Sequence, residues 1–300
     1  MLFRRRRALG EAQAIALARV LRAPTFELIP LRNALDQAAL LPAGSTVSVT
    51  ASPAKGMDAT VTLCERLGGL GIRAVPHISA RMVRDRPHLV DLLARLDGAG
   101  IDRAFIVGGD AKEPGAYPDG LALLREIAEI GRPLAEIGIP GYPQGHPFIA
   151  DGPLLDALRA KAPFASYVTT QLCFDPAAIG RWITARRAEG IALPVHVGVP
   201  GPAEPQKLLT IAARIGVADT HRFLVKNVRF VTRLVRSGGF YRPDGLLEGV
   251  APTIAAPGSG IADLHLYTFN AVEAVERWRQ AYLDALGNWA QSATHPTAVR

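Results

Sequence analysis

Residues 73–110 read RAVPHISARMVRDRPHLVDLLARLDGAGIDRAFIVGGD and contain one complete strand, helix and strand. The two ends, 73–78 and 104–108, are short runs with Val, Ile or Phe, whereas 84–99 repeats Leu and Val at helical spacing among Arg and Asp. A strand, a helix and another strand in this order form a parallel βα unit. The same alternation extends in both directions. Strands are expected at 25–29, 46–50, 73–78, 104–108, 136–141, 166–171, 195–199 and 264–268. Helices are expected between them at 31–40, 58–67, 84–99, 120–130, 154–162, 176–189 and 205–214, with a last one at 271–286. Eight strands in 300 residues match a closed (β/α)8 TIM barrel. An open doubly wound sheet is the structural rival, but no GxGxxG follows the first strand and no acidic ribose partner stands after it.

The expected organisation is a single domain over 1–300 with two additions. Residues 1–23 form a basic leader and an extra N-terminal helix, and 237–261, dense in Gly and Pro, form a long loop insertion before strand eight. A helical run at 223–236 leads into that loop. The formal charge of +7 includes Arg4, Arg5, Arg6 and Arg7, which lie outside any expected core. With 6% aromatic residues and no helix-turn-helix or zinc-finger spacing, nucleic-acid binding gains no support. Glu11, Gln13, Arg19 and Arg22 interrupt what would otherwise be an apolar signal core, and no run of about 18 apolar residues offers a membrane span. Cys64 and Cys173 stand far apart, so neither a disulfide framework nor a metal site is indicated, and a reducing cytoplasm is the expected location.

In such a barrel, polar residues at the C-terminal strand ends point into the active site. Glu27 lies in the apolar run FELIP, His77 in strand three, Asp110 after strand four, and Gln171 at the end of strand six. Each has an ordinary reading. Glu27 suits an ion pair, His77 a backbone hydrogen bond, Asp110 a turn or helix cap, and Gln171 an amide pinning neighbouring strands. Their convergence on one mouth favours function.

These residues carry a family resemblance. FELIP resembles the FEFFPP opening strand of methylenetetrahydrofolate reductases, AVPHIS their PHLTC, and IVGGD their LRGD. GYPQGHP, VTTQLCFD and LHLYTFN resemble YPEVHP, ITQFFFD and FHFYTLN, and all six occur in order from Phe26 to Asn270. The resemblance implies reduction of 5,10-methylenetetrahydrofolate to 5-methyltetrahydrofolate, with hydride passing from NADH or NADPH through FAD. It assigns Glu27 as the acid that opens the imidazolidine ring. The apolar neighbours Phe26, Leu28 and Ile29 are expected to desolvate that acid. It makes Asp110 the fixed negative charge beside flavin and pterin, and Gln171 the amide that binds folate. Thr50, His77, Gly109, Asp110, Tyr117, His146 and Lys161 match cofactor-lining positions, and no metal is required. Local alternatives stay open: Thr50 as a strand-end cap, Tyr117 as a loop aromatic, Tyr142 and His146 in a rigid turn, Lys161 as a solvated helix end.

The chain also departs from the family pattern. Gly108 stands where LRGD has arginine, Pro153 where an acidic residue is expected, and Ala271 where arginine follows the last motif. Lys207, Arg229 or Arg242 are the cations available to replace the last of these. Two other functions therefore stand beside the first: a flavin-independent reductase with direct hydride transfer, and a non-catalytic folate-binding barrel. The partners expected are a small folate and a nicotinamide, without nucleic acid or membrane, and barrel enzymes commonly form homo-oligomers.

Overall fold

The computed structural model describes residues 9–131, 134–204 and 241–294. Eight parallel strands close into a barrel: β1 (Thr25–Leu28), β2 (Thr46–Val49), β3 (Arg73–Ser79), β4 (Arg103–Val107), β5 (Glu136–Gly141), β6 (Tyr167–Thr170), β7 (Val195–Pro200) and β8 (Ile261–Tyr267). β8 returns beside β1 with Thr25 opposite His265 and Glu27 opposite Tyr267, which seals the sheet. The described helices are α1 (Glu11–Arg22), α2 (Ala34–Ala38), α3 (Gly56–Gly68), α4 (Arg86–Gly98), α5 (Gly120–Ile130), α6 (Asp151–Lys161), α7 (Pro176–Ala188), α8 (Asp244–Ala255) and α9 (Val272–Thr294). The expected helix 205–214, the run at 223–236, Lys207, Arg229 and the basic leader lie outside the described residues.

Because strand side chains alternate, one set faces the helices and the other the barrel axis. Phe26, Leu28, Val47, Val49, Ile78, Ile106, Val197, Val199, Leu264 and Leu266 belong to the buried apolar cluster shared with the helices. The inner set is more polar than the Val, Ile and Leu layers usual in this fold. His77 packs on Phe105, Phe105 on Tyr167, and Tyr167 stacks on His196 with centroids 4.2 Å apart. Gly138 leaves the space this requires, since a Cβ there would strike both Tyr167 and Phe105.

The ends of the helical layer are tied to the strands. Arg19 of α1 donates to the carbonyls of Ile261 and Ala262 at the start of β8, at 2.8 and 3.1 Å. Arg279 of α9 pairs with Glu276 through two 2.6 Å bonds and also donates to the Leu21 carbonyl at the end of α1. The N-terminal helix is thus part of the barrel's outer layer.

The expected loop at 237–261 requires correction. Asp244–Ala255 is helical, and Leu246, Leu247, Val250, Ala251 and Ile254 form its buried face. Its Gly and Pro residues misled because their roles are local. Pro243 is the N-cap, and Gly249 lets the helix approach the Pro176 ring, where a Cβ would collide. β8 likewise begins at Ile261, earlier than the apolar run alone indicates.

Candidate active site

Glu27 projects inward from β1 with 15% of its side chain exposed. Phe26 and Leu28, expected to surround it, point instead into the helical layer, because adjacent strand residues face opposite sides. The group against Glu27 is His265 of β8, whose Nε2 lies 3.1 Å from Oε2. The pair arises from the closing register: His265 and Tyr267 share the inward parity of β8, and Tyr267 sits opposite Glu27.

Beyond Tyr267 the chain makes a clip that holds β1. Thr268 Oγ1 donates to the Glu27 carbonyl at 2.5 Å. Asn270 accepts from the Ile29 amide at 2.8 Å and returns a bond to the Ile29 carbonyl at 2.9 Å, so its side chain continues the sheet ladder after β8 has ended. Phe269 and Asn270 adopt φ of 51° and 56°, left-handed values that are strained for residues with a Cβ. The hydrogen bonds of Thr268 and Asn270 hold this backbone against β1 at the Glu27 carbonyl and Ile29.

Gln171 follows β6. Its Oε1 accepts from the Leu172 amide at 2.8 Å and lies 3.3 Å from the Tyr267 hydroxyl. An amide N–H can only donate, so the atom facing it must be the oxygen, and Nε2 with its two hydrogens remains for a ligand. Gln171 thus pins Tyr267 through its oxygen and leaves its amide nitrogen for another partner. Tyr267 also donates to the Thr170 carbonyl at 3.0 Å, and its ring fills space left by Gly198. Burial raises the Tyr267 phenol well above its usual range, with the Glu27 charge adding to the rise, so it remains a hydrogen donor.

Asp110 is placed differently. It is exposed on the loop after β4, and no hydrogen bond or ion pair joins it to Glu27 or Gln171. It does not cap α5, a role that Asp119 fills by accepting from the Leu121 and Ala122 amides. Gly109 beside it has φ 87° and leaves no room for a Cβ against Ser79, whose buried hydroxyl has no partner among the described residues. Arg81, unmarked by sequence reasoning, donates from Nε to the Ala111 carbonyl at 2.8 Å and from Nη2 to that of Lys112 at 3.1 Å. The Asp110 loop is thereby moulded onto the end of β3.

The remaining predicted positions divide. Lys161, far from a solvated helix end, is partly buried; burial lowers its pKa against the pull of Asp119, and no carboxylate lies within salt-bridge distance among the described residues. An ammonium held this way fits a phosphate. His146 touches Tyr142 and Phe148 edge-on and accepts from the Phe148 amide, and burial lowers its pKa. Thr50 continues the ladder through its amide to Leu28 and accepts from Thr60, consistent with a strand-end role. Tyr117 is a loop aromatic, and it is buried in the main core at 6% exposure. His77 lies deep, 2.6 Å from the Ser48 hydroxyl, and burial lowers its pKa to about 4. Arg242 pairs with Asp244, so that cation is already engaged. Among the candidate cofactor positions, Lys161 is the cation whose chemistry suits the phosphate end of FAD.

His265, Tyr267, Thr268 and Asn270 were missed as individual residues although LHLYTFN was legible. The inward parity of His265 and Tyr267 was the available signal. Among the described residues no group of three or more His, Cys, Asp or Glu is arranged for a metal, and no helix is long and apolar enough to cross a membrane.

A closed barrel with a carboxylate, an amide and a phenol at the C-terminal strand ends has the arrangement of a (β/α)8-barrel enzyme site. Residues 30–280 match the family model for methylenetetrahydrofolate reductase, and the chain belongs to that family of oxidoreductases. The matched span begins after Glu27, whose place is given by the barrel alone. A plant class V chitinase mutant from Cycas revoluta is 9% identical over 87% of this chain and 99% of that one, with TM-score 0.51, and shares the fold. A putative phosphonomutase from Burkholderia cenocepacia (14% identity, 95% and 99% coverage, TM-score 0.47) is also similar. So is a monomeric dihydrodipicolinate synthase variant (13% identity, TM-score 0.38); the match covers 60% of this chain and 64% of that variant's length.

Proposed function

We propose that the protein reduces 5,10-methylenetetrahydrofolate to 5-methyltetrahydrofolate with hydride from NADH or NADPH, and that Glu27 is the general acid. The observation that carries this reading is the inward Glu27 carboxyl beside His265 in a chain of this family. Glu27 protonates a folate nitrogen, opening the imidazolidine ring and leaving an iminium cation able to accept hydride. Gln171 offers its Nε2 hydrogens to acceptors on the pterin edge. Asp110 supplies negative charge toward the cation from its loop. FAD, when bound, would supply the hydride relay between the nicotinamide and the one-carbon unit. Lys161 would hold its phosphates, with Gly109 and His146 the other candidate contacts, since Tyr117 lies in the core and His77 is engaged with Ser48.

Replacing Glu27 by Gln tests the acid. Turnover of methylenetetrahydrofolate should fall by at least the ~10²-fold typical of general acid catalysis, while oxidation of the nicotinamide by bound flavin continues. Turnover at the parent rate would sink the proposal.

A second reading keeps Glu27 and the folate but moves hydride directly from the nicotinamide. It is favoured by Tyr117 lying in the apolar core and by His77 being engaged with Ser48. The absorption spectrum of the purified protein separates the two. Protein that neither contains nor retains flavin yet oxidises reduced nicotinamide with methylenetetrahydrofolate belongs to the second.

A further inference from the structure

The contact between Glu27 and His265 carries an inference that rests on the acid role just proposed. His265 has 4% of its side chain exposed and stands edge-on to Tyr267, with centroids 5.1 Å apart. Its Nε2 faces Glu27 Oε2 at 3.1 Å. The other titratable groups facing this pair are His77 from β3, His196 from β7, and Asp263 and Tyr267 from β8. Burial lowers His77 to about 4 and His196 to about 3, so both are neutral at neutral pH and supply no rival cation. Tyr267 spends its hydrogen on the Thr170 carbonyl or Gln171. His77 is directed at Ser48. The imidazole of His265 is therefore the group that the barrel aims at the carboxyl.

We infer that His265 is a positioning residue for the acid: its Nε2–H holds Glu27 Oε2, so that the catalytic proton resides on Oε1. The reason is directional. An oxygen already accepting from an N–H is a poor place for a second hydrogen pointing the same way, so the other oxygen carries it. When that proton leaves for the folate nitrogen, the N–H remains on the imidazole and its bond to the new carboxylate becomes charge-assisted. The pair changes charge by one, all of it on Glu27. A donor aimed at the ionised form favours ionisation, so its removal should slow the proton donation and also move the alkaline limb of the rate profile upward.

The experiment compares H265F, which keeps ring bulk against Tyr267 but has no donor, with H265Q, whose amide N–H can replace Nε2–H. H265F should lower kcat for methylenetetrahydrofolate by about ten- to a hundred-fold, the range for a bond to a charged group, with KM little changed. Its alkaline limb should move to higher pH. H265Q should recover much of the rate and return the limb toward the parent. An unmoved limb in folded H265F, or H265Q as impaired as H265F, overturns the inference.

A measurement on the unaltered protein stands should the variants fail to fold. The imidazole ¹⁵N signals of His265, assigned through its backbone, should show hydrogen on Nε2 and none on Nδ1. Hydrogen on Nδ1 alone overturns the assignment. E27Q distinguishes this failure from that of the underlying reading. Activity in E27Q rejects Glu27 as the acid, whereas inactive E27Q with parent-like H265F rejects only the role of His265.

Discussion

The two walls of the barrel mouth are built on different principles. The wall formed by β6, β8 and β1 carries Gln171, His265 and Glu27 on strands or one residue beyond them, joined by Tyr267, Thr268 and Asn270. The wall formed by the loops after β4 and β5 carries Asp110 and His146 at more open positions, with Phe148 73% exposed. There the backbone is shaped by steric fit at Gly109 and by the Arg81 guanidinium. Proton transfer needs atoms held closely in register, which strands provide. Loops can adapt to a large ligand.

The largest effect that would break this comparison is the Glu27→Gln loss given above. If Asp110→Asn costs as much in the folate step as E27Q, the acid wall is not the distinctive one; the expected loss at Asp110 is smaller, because its charge acts from an exposed loop. A steady-state comparison of the two variants decides this.

The next effect falls on the loop wall. Gly109→Ala meets both a positive φ and the Ser79 side chain. Overpacking of this kind costs about 1–3 kcal/mol, paid by displacement of the loop. Flavin affinity should therefore weaken more than the melting temperature falls. Spectroscopic flavin titration and a thermal melt read the two, and a melt that moves while affinity holds would reverse the roles of the walls.

Asn270→Ala sharpens the other side. It leaves the Ile29 amide and carbonyl without their side-chain partners, a loss of about 1–3 kcal/mol when buried groups go unpaired. The variant should lower the urea midpoint and slow folate turnover without altering flavin affinity.

The effect farthest from the chemistry concerns pH. His77 and His196 have folded pKa values lowered by burial from 6.5 to about 4 and about 3. Between those values and 6.5 the unfolded chain binds more protons, so these residues contribute stability above that window and lose it as pH falls. Burial raises Asp263 from 3.8 to about 6, which acts oppositely: between these values the folded state holds the extra proton and its contribution is lost as pH rises. Two histidines against one aspartate predict net destabilisation on acidification from about pH 6.5 to 4. Asp263→Asn should steepen it, and a shallower loss in denaturant titrations across that range would contradict the assignment.

Much of this molecule is legible in its sequence. Alternation of β-branched runs with helical periods marks eight strands because each strand must bury one face under a helix, and Phe26, Val47, Ile106 and Leu266 do so. The helix at Asp244–Ala255 was not legible, because Pro252 and Gly249 signal loop locally while five buried apolar residues outweigh them in context. Glu27 and Gln171 were identifiable from their positions at strand ends. Their partners were not, because hydrogen bonds between Glu27 and His265 or between Ile29 and Asn270 join residues separated by most of the chain.

Sequence alone determined the barrel, its order of strands and the carboxyl at the end of the first, since these follow from local periodicity and burial. Only tertiary structure decided what surrounds that carboxyl. The closing register between β1 and β8 turns Phe26 and Leu28 outward and brings His265, Tyr267 and Asn270 to the seam, replacing an expected apolar cage with directed hydrogen bonds. Register is a property of two strands paired in space, and neither strand carries it alone.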